Sequence, residues 1–84
     1  MSSYNKVDQQ DDIYKSVNLA RTAYEAAVAC HEIAIAIDMH SAIPRDDEFD
    51  YAVSAFMTST EKAVSSAFSV YNTARALAQA YKNL

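Results

Sequence analysis

The chain of 84 residues contains no glycine, one proline and one cysteine. Glycine-rich loops that cradle phosphates, as in Walker and Rossmann proteins, are excluded because they need the backbone freedom of glycine. A single cysteine, Cys30, excludes an intrachain disulfide, and no Cys/His pairs stand at zinc-binding spacing. A core of this size is marginal by itself, so oligomerisation is the remaining source of extra stability.

Charge is distributed unevenly along the chain. Residues 1–50 hold ten acids and four bases, whereas residues 51–84 hold one acid and three bases. The acidic half argues against a nucleic-acid backbone as the main partner. There is no apolar secretory segment at the N-terminus and no membrane-length apolar run, and a free cysteine is typical of a reducing compartment. We therefore expect a cytoplasmic protein without a membrane partner.

Pro44 is the one strong breaker between two long stretches of helix-forming residues. The pattern predicts an all-α single domain with helices over 9–40 and 45–82 and a turn at 41–45. Asp8 is expected to cap the first helix. The short connection predicts an antiparallel two-helix hairpin.

Apolar and small residues recur along helix 1 at alternate spacings of four and three, and two alanines, Ala27 and Ala34, run beside this line. The apolar surface covers more than half of the helix circumference, which a single partner helix cannot cover. We therefore expect hairpins to assemble into an oligomeric helical bundle, with the chain as its own partner. We expect the oligomer interface to bury this line together with Ala27 and Ala34; the line consists of Leu19, Ala23, Ala26, Cys30, Ile33 and Ile37.

Cys30, His31 and Glu32 are potential metal ligands, but their spacing does not suit a metal site. Di-iron bundles use Glu-x-x-His, whereas position 35 is isoleucine. We expect no metal and no cofactor, with Cys30 as a small core residue and His31 as a half-buried interface residue. A mid-helix thiol in an aliphatic line is a poor nucleophile and no glycine-framed serine exists, so we expect no enzymatic activity.

One face late in helix 2 combines aromatic rings, amides and cations. Such a set suits a small anionic ligand with a planar ring, for example a nucleotide. The alternative is that Arg75 pairs with Asp11 and Asp12 across the hairpin, and both readings stay open. The candidate ligand residues on this face are Phe68, Asn72, Arg75 and Gln79, accompanied by Tyr71 and Lys82.

Acidic residues gather at the start of helix 2, at Asp46, Asp47 and Glu48. A cluster of one sign speeds encounter with a basic surface, which makes these residues candidate contacts to a host protein. They are equally the solvated first turn of a helix whose dipole favours negative charge. The sequence leaves these two interpretations open.

Two short stretches, Gln10-Asp11-Asp12-Ile13 in helix 1 and Ala74-Arg75-Ala76-Leu77-Ala78-Gln79 in helix 2, resemble the phage anti-CBASS cyclic-nucleotide sponges. Those are small, all-helical, non-enzymatic proteins that assemble as hexamers and hide signalling nucleotides in pockets between subunits. The resemblance implies a phosphate contact for Arg75 and a stacking role for Tyr4 or Tyr14.

Together these features predict a non-enzymatic, homo-oligomeric helical binding protein. We expect an inhibitor of the phage or mobile-element kind, active in anti-defence, that sequesters a host protein or a signalling nucleotide. The alternative is a structural self-assembly module with no ligand.

Overall fold

A computed structural model describes residues 6–40 and 46–84 of the protein, which form two long α-helices. Helix α1 is Lys6–Met39 and helix α2 is Asp47–Lys82. They pack against each other along their length as an antiparallel hairpin, about 61 Å long. The all-α hairpin prediction is confirmed, whereas the turn predicted at 41–45 lies outside the described residues. Neither helix contains a stretch long and apolar enough to span a membrane.

The start of each helix differs from its predicted position. Helix α1 begins before residue 9, so Asp8 lies inside its first turn, and the prediction of Asp8 as the cap is wrong. Helix α2 begins at Asp47 because Asp46, with extended backbone angles, is its N-cap. The Asp46 Oδ1 accepts a hydrogen bond from the Phe49 backbone N–H at 2.7 Å. This carboxylate satisfies one of the N–H groups that a helix start leaves without an intrahelical partner.

Two heptad lines form the contact between the helices, and every residue in them is buried or half-buried. Their alternate spacings of four and three keep each line facing the partner helix along the whole hairpin. We call these lines the hairpin seam. Its members in α1 are Ile13, Val17, Ala20, Tyr24, Ala27, His31, Ala34 and Asp38, and its members in α2 are Val53, Met57, Thr60, Val64, Ala67, Tyr71, Ala74, Ala78 and Tyr81.

The seam is not the apolar line that the sequence emphasised. Leu19 is 71% exposed and Ile33 is 59% exposed. Cys30 is also exposed, so its assignment to the core is wrong for the hairpin. Ala34 is fully buried in the contact within one chain, so its assignment to an oligomer interface is wrong, whereas Ala27 is half-buried in the same contact. Periodicity could not separate two heptad lines that lie one residue, or about 100°, apart on a mostly apolar helix.

A polar pair inside the seam sets the register of the two helices. The His31 Nδ1 lies 2.8 Å from the Thr60 Oγ1, and the Thr60 hydroxyl donates to the Met57 carbonyl at 3.0 Å. A hydroxyl has one proton, so while it donates to Met57 it accepts from the His31 Nδ1–H. Thr60 is only 6% exposed. In another register Thr60 would keep its hydrogen bond to Met57, but the half-buried His31 imidazole would lose the Thr60 hydroxyl as its partner, which favours the observed alignment.

That register places large side chains of one helix level with small side chains of the other. Alternation of this kind fills the seam while letting the helix axes approach closely. His31 is half-buried, as the sequence predicted. The level positions are Ile13 with Ala78, Val17 with Ala74, Ala20 with Tyr71, Tyr24 with Ala67, Ala27 with Val64, and Ala34 with Met57.

Ala34 is fully buried in the seam, so a larger side chain at this position would have to displace its neighbours. We expect Ala34→Leu to lower the free energy of unfolding by about 1–3 kcal/mol through overpacking. Ala36→Leu, on the exposed side of the same helix, is the matched control and should stay within about 0.5 kcal/mol of the parent. Urea denaturation followed by circular dichroism measures both, and equal effects would contradict the assignment of Ala34 to the seam.

The His31–Thr60 pair predicts that substitutions of these two residues change the free energy of unfolding in a strongly non-additive way. Thr60→Val keeps the side-chain shape but removes the hydroxyl, and we expect a loss of about 1–3 kcal/mol because the imidazole then lacks its partner. The double variant His31→Leu/Thr60→Val should recover most of this loss, since no polar group stays unpaired. A double-mutant cycle of unfolding free energies tests this. Additive effects would show that the two side chains do not act as a pair.

Candidate functional site

A shallow groove of about 270 Å³ lies between the first half of α1 and the last third of α2. Two apolar side chains form its floor and four polar ones surround them. It combines a phenol, an amide and two cations, and none of its lining residues is acidic. The lining residues are Tyr14, Val17, Arg75, Ala78, Gln79 and Lys82.

Helix geometry explains why these polar residues share one side of the hairpin. Tyr14 comes one residue after a seam position of α1, and Arg75, Gln79 and Lys82 each come one residue after a seam position of α2. In two antiparallel right-handed helices, the positions that directly follow the seam lie on the same side of the pair. We call this side the polar face.

The guanidinium of Arg75 rests on a row of aromatic rings. Its Cζ lies 5.5 Å from the centroid of the Tyr71 ring, within the range of a cation–π interaction. Tyr71 stacks on Tyr24 with centroids 6.2 Å apart and an interplanar angle of 18°. Tyr24 in turn contacts Phe68 at 5.3 Å. The row restrains the Arg75 side chain at the groove, which reduces the entropy that a ligand would have to remove.

The groove brings together three of the five predicted ligand residues, namely Tyr14, Arg75 and Gln79. Phe68 is instead the end of the aromatic row and is 48% exposed. Asn72 is exposed and does not line the groove. Tyr4, the other stacking candidate, lies outside the described residues.

Sequence reasoning missed two kinds of contributor to this site. Val17 and Ala78 form the apolar floor, and their heptad spacing was visible, but only the register shows that they meet. Tyr24 supports the aromatic row from the other helix. No signal in the sequence alone connects Tyr24 with Tyr71, because their proximity depends on how far one helix has slid along the other.

The alternative of an ion pair across the hairpin is not what the structure has. The register of the His31–Thr60 pair places Arg75 level with Ser16, about five residues beyond Asp11. Within the described ranges, no ion pair joins Arg75 to Asp11 or Asp12. The ion-pair interpretation placed the centre of the hairpin near residue 43. In the observed register α2 is shifted along α1, so that Arg75 no longer lies level with Asp11 and Asp12.

The acidic start of α2 is solvent-exposed, as a contact surface would be, but one of its members has a structural role. The Asp46 carboxylate is engaged as the N-cap. Asp47 and Glu48 lie in the first turn, where the helix dipole favours negative charge. A protein partner that binds this cluster would therefore contact the Asp47 and Glu48 carboxylates more readily than the Asp46 carboxylate, which is already hydrogen-bonded.

The other chemically versatile side chains are dispersed. His31 is engaged with Thr60 inside the seam, and Cys30 lies on the opposite side of the hairpin from the groove. In residues 6–40 and 46–84, no three His, Cys, Asp or Glu side chains come close enough together to hold a metal ion. The groove is therefore a site in which described polar residues of both helices converge.

Comparison with protein-family models, with curated proteins and with solved structures gave no match for this chain. The resemblance to cyclic-nucleotide sponges rests on the two stretches quoted above. What the chain does has to be inferred from its own groove and surfaces.

The capping role of Asp46 can be separated from its charge. In 0.5 M salt, where screening weakens the helix-dipole term, we expect Asp46→Ala to cost about 1 kcal/mol of stability through the lost cap hydrogen bond. Asp47→Ala removes the same charge one residue further on and should cost clearly less. Thermal unfolding of both variants measures the difference. Equal losses would show that the first turn depends on charge alone.

Proposed function

We propose that this protein is a non-enzymatic binding protein that sequesters a small anionic ligand with a planar ring, of the nucleotide class. The observation that carries the proposal is the groove in which Tyr14, Arg75, Gln79 and Lys82 converge. Each of these side chains suits binding, and the groove lining contains no carboxylate, imidazole or thiol.

The two cations are suited to a phosphate group. The Arg75 guanidinium presents a planar fork of N–H donors that matches phosphate geometry, and its position on Tyr71 keeps it near the groove. Lys82 lines the same groove and adds a mobile second positive charge. Together they supply a bidentate contact and a neutralising charge for one phosphate.

The remaining groove residues are suited to a base. The Tyr14 ring is 45% exposed and provides a flat surface on which an aromatic ring can stack. The Gln79 Nε2 donates to the Asn83 Oδ1 at 3.4 Å, which leaves its second N–H and its carbonyl oxygen for the edge of a base. A volume of about 270 Å³ is slightly below the usual 300–1,000 Å³ of ligand pockets, so the groove suits one nucleotide unit.

The charge around the groove favours a small anion over a polyanion. After Glu61 the chain contains no acid, so the groove residues have a locally positive surrounding on α2. The chain as a whole carries a formal charge of −4, with most of its acids in the first half. A long nucleic acid would have to lie along these acids, whereas a single nucleotide would contact the groove, whose lining contains no acid.

A sequestering role is consistent with this arrangement and with the sponge resemblance. Such a protein would act in the cytoplasm as an inhibitor, lowering the free concentration of a signalling nucleotide on behalf of a phage or mobile element. Its oligomeric state would set how many grooves each particle offers.

Arg75 provides the direct test of ligand binding. We expect cyclic di- or trinucleotides, or mononucleotides, to raise the melting temperature of the parent protein by mass action. Arg75→Ala should weaken binding by about 1.5–3 kcal/mol, on the order of tenfold to a hundredfold in Kd, because a charge-assisted contact is lost. Arg75→Lys should fall between the two, since lysine offers a point charge instead of a fork. Thermal shift and isothermal titration calorimetry measure these effects.

Two matched controls separate the groove from general electrostatics. Arg21→Ala removes a cation from the polar face of α1, where it pairs only weakly with Glu25 at 3.9 Å. Asn72→Ala removes an exposed amide of α2 outside the groove. Both should bind as the parent does. A flat thermal response to the whole nucleotide panel would overturn the proposed function.

A further inference from the structure

The two sides of the hairpin differ in charge. The side formed by residues that directly precede the seam, which we call the apolar face, has no charged side chain from residue 19 to residue 37 or from residue 52 to residue 80. Its members are Leu19, Ala23, Ala26, Cys30, Ile33 and Ile37 in α1 and Ala52, Phe56, Ser59, Ala63, Ser66, Val70, Thr73, Leu77 and Ala80 in α2. The groove cations Arg75 and Lys82 lie on the polar face. The spacing of these two cations therefore decides which anions the groove can hold.

The groove has one cation at each end, with its phenol and its amide between them. The observed register of the helices makes Tyr14 level with residue 77, which lies between Arg75 and Lys82. Gln79 also lies between these two residues in α2. A planar ring stacked on Tyr14 would therefore have a positive charge on either side of it along the hairpin.

Arg75 and Lys82 are separated by almost two turns of α2. Seven residues bring both to the same side of the helix, with backbone positions about 10 Å apart at about 1.5 Å per residue. Both side chains leave the backbone with the same tilt towards the helix N-terminus, so this tilt does not bring the two charges together. The separation along the groove is therefore retained in the positions of the cations.

The contact with Tyr71 holds the guanidinium at the end of the groove that is far from Lys82. Tyr71 lies one turn before Arg75, and the Arg75 Cζ lies 5.5 Å from the centroid of its ring. Lys82 lies in the opposite direction along α2. A phosphate in bidentate contact with Arg75 would therefore receive neutralising charge from Lys82 but would leave the ammonium hydrogen-bond donors for a second anionic group.

The surroundings of Lys82 are compatible with a second anion. Asp11 comes level with Ala80 but does not line the groove. In residues 6–40 and 46–84, no ion pair joins Lys82 to a carboxylate. The dipole of α2 disfavours an anion at its last turn, but the first turn of α1 lies at the same level and favours one, so the two dipole contributions oppose each other.

We infer that the groove takes a nucleotide with phosphate on both sides of its ribose, of the nucleoside 3′,5′-bisphosphate type. The Arg75 guanidinium holds one phosphate, the Lys82 ammonium holds the other, and the nucleoside lies between them with its base on Tyr14. This inference rests on the proposed function, which it narrows from the nucleotide class to one arrangement of phosphate groups.

Two separated phosphates suit the groove better than two adjacent ones. In a nucleoside 5′-diphosphate both phosphates lie on the same side of the ribose, so both would gather at one end of the groove. The cation at the other end would then have no phosphate in contact. Hydrogen bonds to ionised groups are stronger than those between neutral groups, so a separate contact at each end adds to the affinity.

Isothermal titration calorimetry with adenosine 5′-monophosphate, 3′-monophosphate, 5′-diphosphate and 3′,5′-bisphosphate tests the inference. We expect the bisphosphate to bind about tenfold more tightly than either monophosphate, because a second charge-assisted contact forms. The 5′-diphosphate is the matched control, since it also carries two phosphates, and it should gain clearly less. A 5′-diphosphate that binds as tightly as the bisphosphate overturns the inference. The series is repeated with guanosine, because the Gln79 amide can pair with either base.

Two lysine variants separate direct contact from general attraction. We expect Lys82→Met to lower the ratio of monophosphate to bisphosphate dissociation constants from about tenfold towards one, because it removes the charge at one end of the groove but keeps a long side chain. Lys62→Met makes the same change in α2 outside the groove and should leave the ratio unchanged. Equal loss of the ratio in both variants overturns the inference. Thermal unfolding without ligand checks that both variants are folded.

The same arrangement of phosphates also occurs within a nucleotide chain. A 5′-phosphorylated adenosine dinucleotide carries a diester on its first 3′ oxygen where the free bisphosphate carries a monoester. We expect the free bisphosphate to bind more tightly, because a monoester carries more negative charge near pH 7 and no second nucleoside has to lie beyond the end of the groove. Tighter binding of the dinucleotide overturns the assignment to a free bisphosphate.

Failure of this inference and failure of the proposed function give different results. If no nucleotide of either series binds, both are overturned. If the monophosphates bind and Arg75→Ala weakens them, but the bisphosphate gains nothing over them, the proposed function stands and the inference alone is overturned.

Discussion

The hydrogen bond between His31 and Thr60 is the interaction on which the rest of the hairpin depends. Two long apolar helices can slide along each other by a heptad at little cost, because one apolar layer resembles the next. The His31–Thr60 pair limits that freedom, since another alignment takes the half-buried imidazole away from the Thr60 hydroxyl. The alignment in turn carries Arg75 past the N-terminal carboxylates and brings it beside Tyr14.

The chain contains no glycine, so its smallest side chains are those of its many alanines, and these have one structural consequence. Small residues opposite large ones let α1 and α2 approach closely throughout the seam, as at Ala34. The same alternation recurs on the apolar face, although there it has no partner within the chain. A hairpin built in this way divides its surface into a polar face, which carries the cations around the groove, and an apolar face on the side of the residues that precede the seam.

This division separates the groove from the apolar face. Residues that follow the seam line the groove, whereas residues that precede the seam form the apolar face. A substitution on one face need not disturb the other, because the two faces share only the seam between them.

The sequence alone determined the helical class, the approximate extent of both helices and the excess of apolar surface on α1, because these depend on local propensity and periodicity. It also identified Arg75, Gln79 and Tyr14 as ligand candidates. Only the tertiary structure decided which of two neighbouring heptad lines forms the seam, that Cys30 is exposed, and that Phe68 and Asn72 lie outside the groove. The reason is physical: a rotation of about 100° or a slide of a few residues changes no local interaction, and only contacts between the helices select among these alternatives.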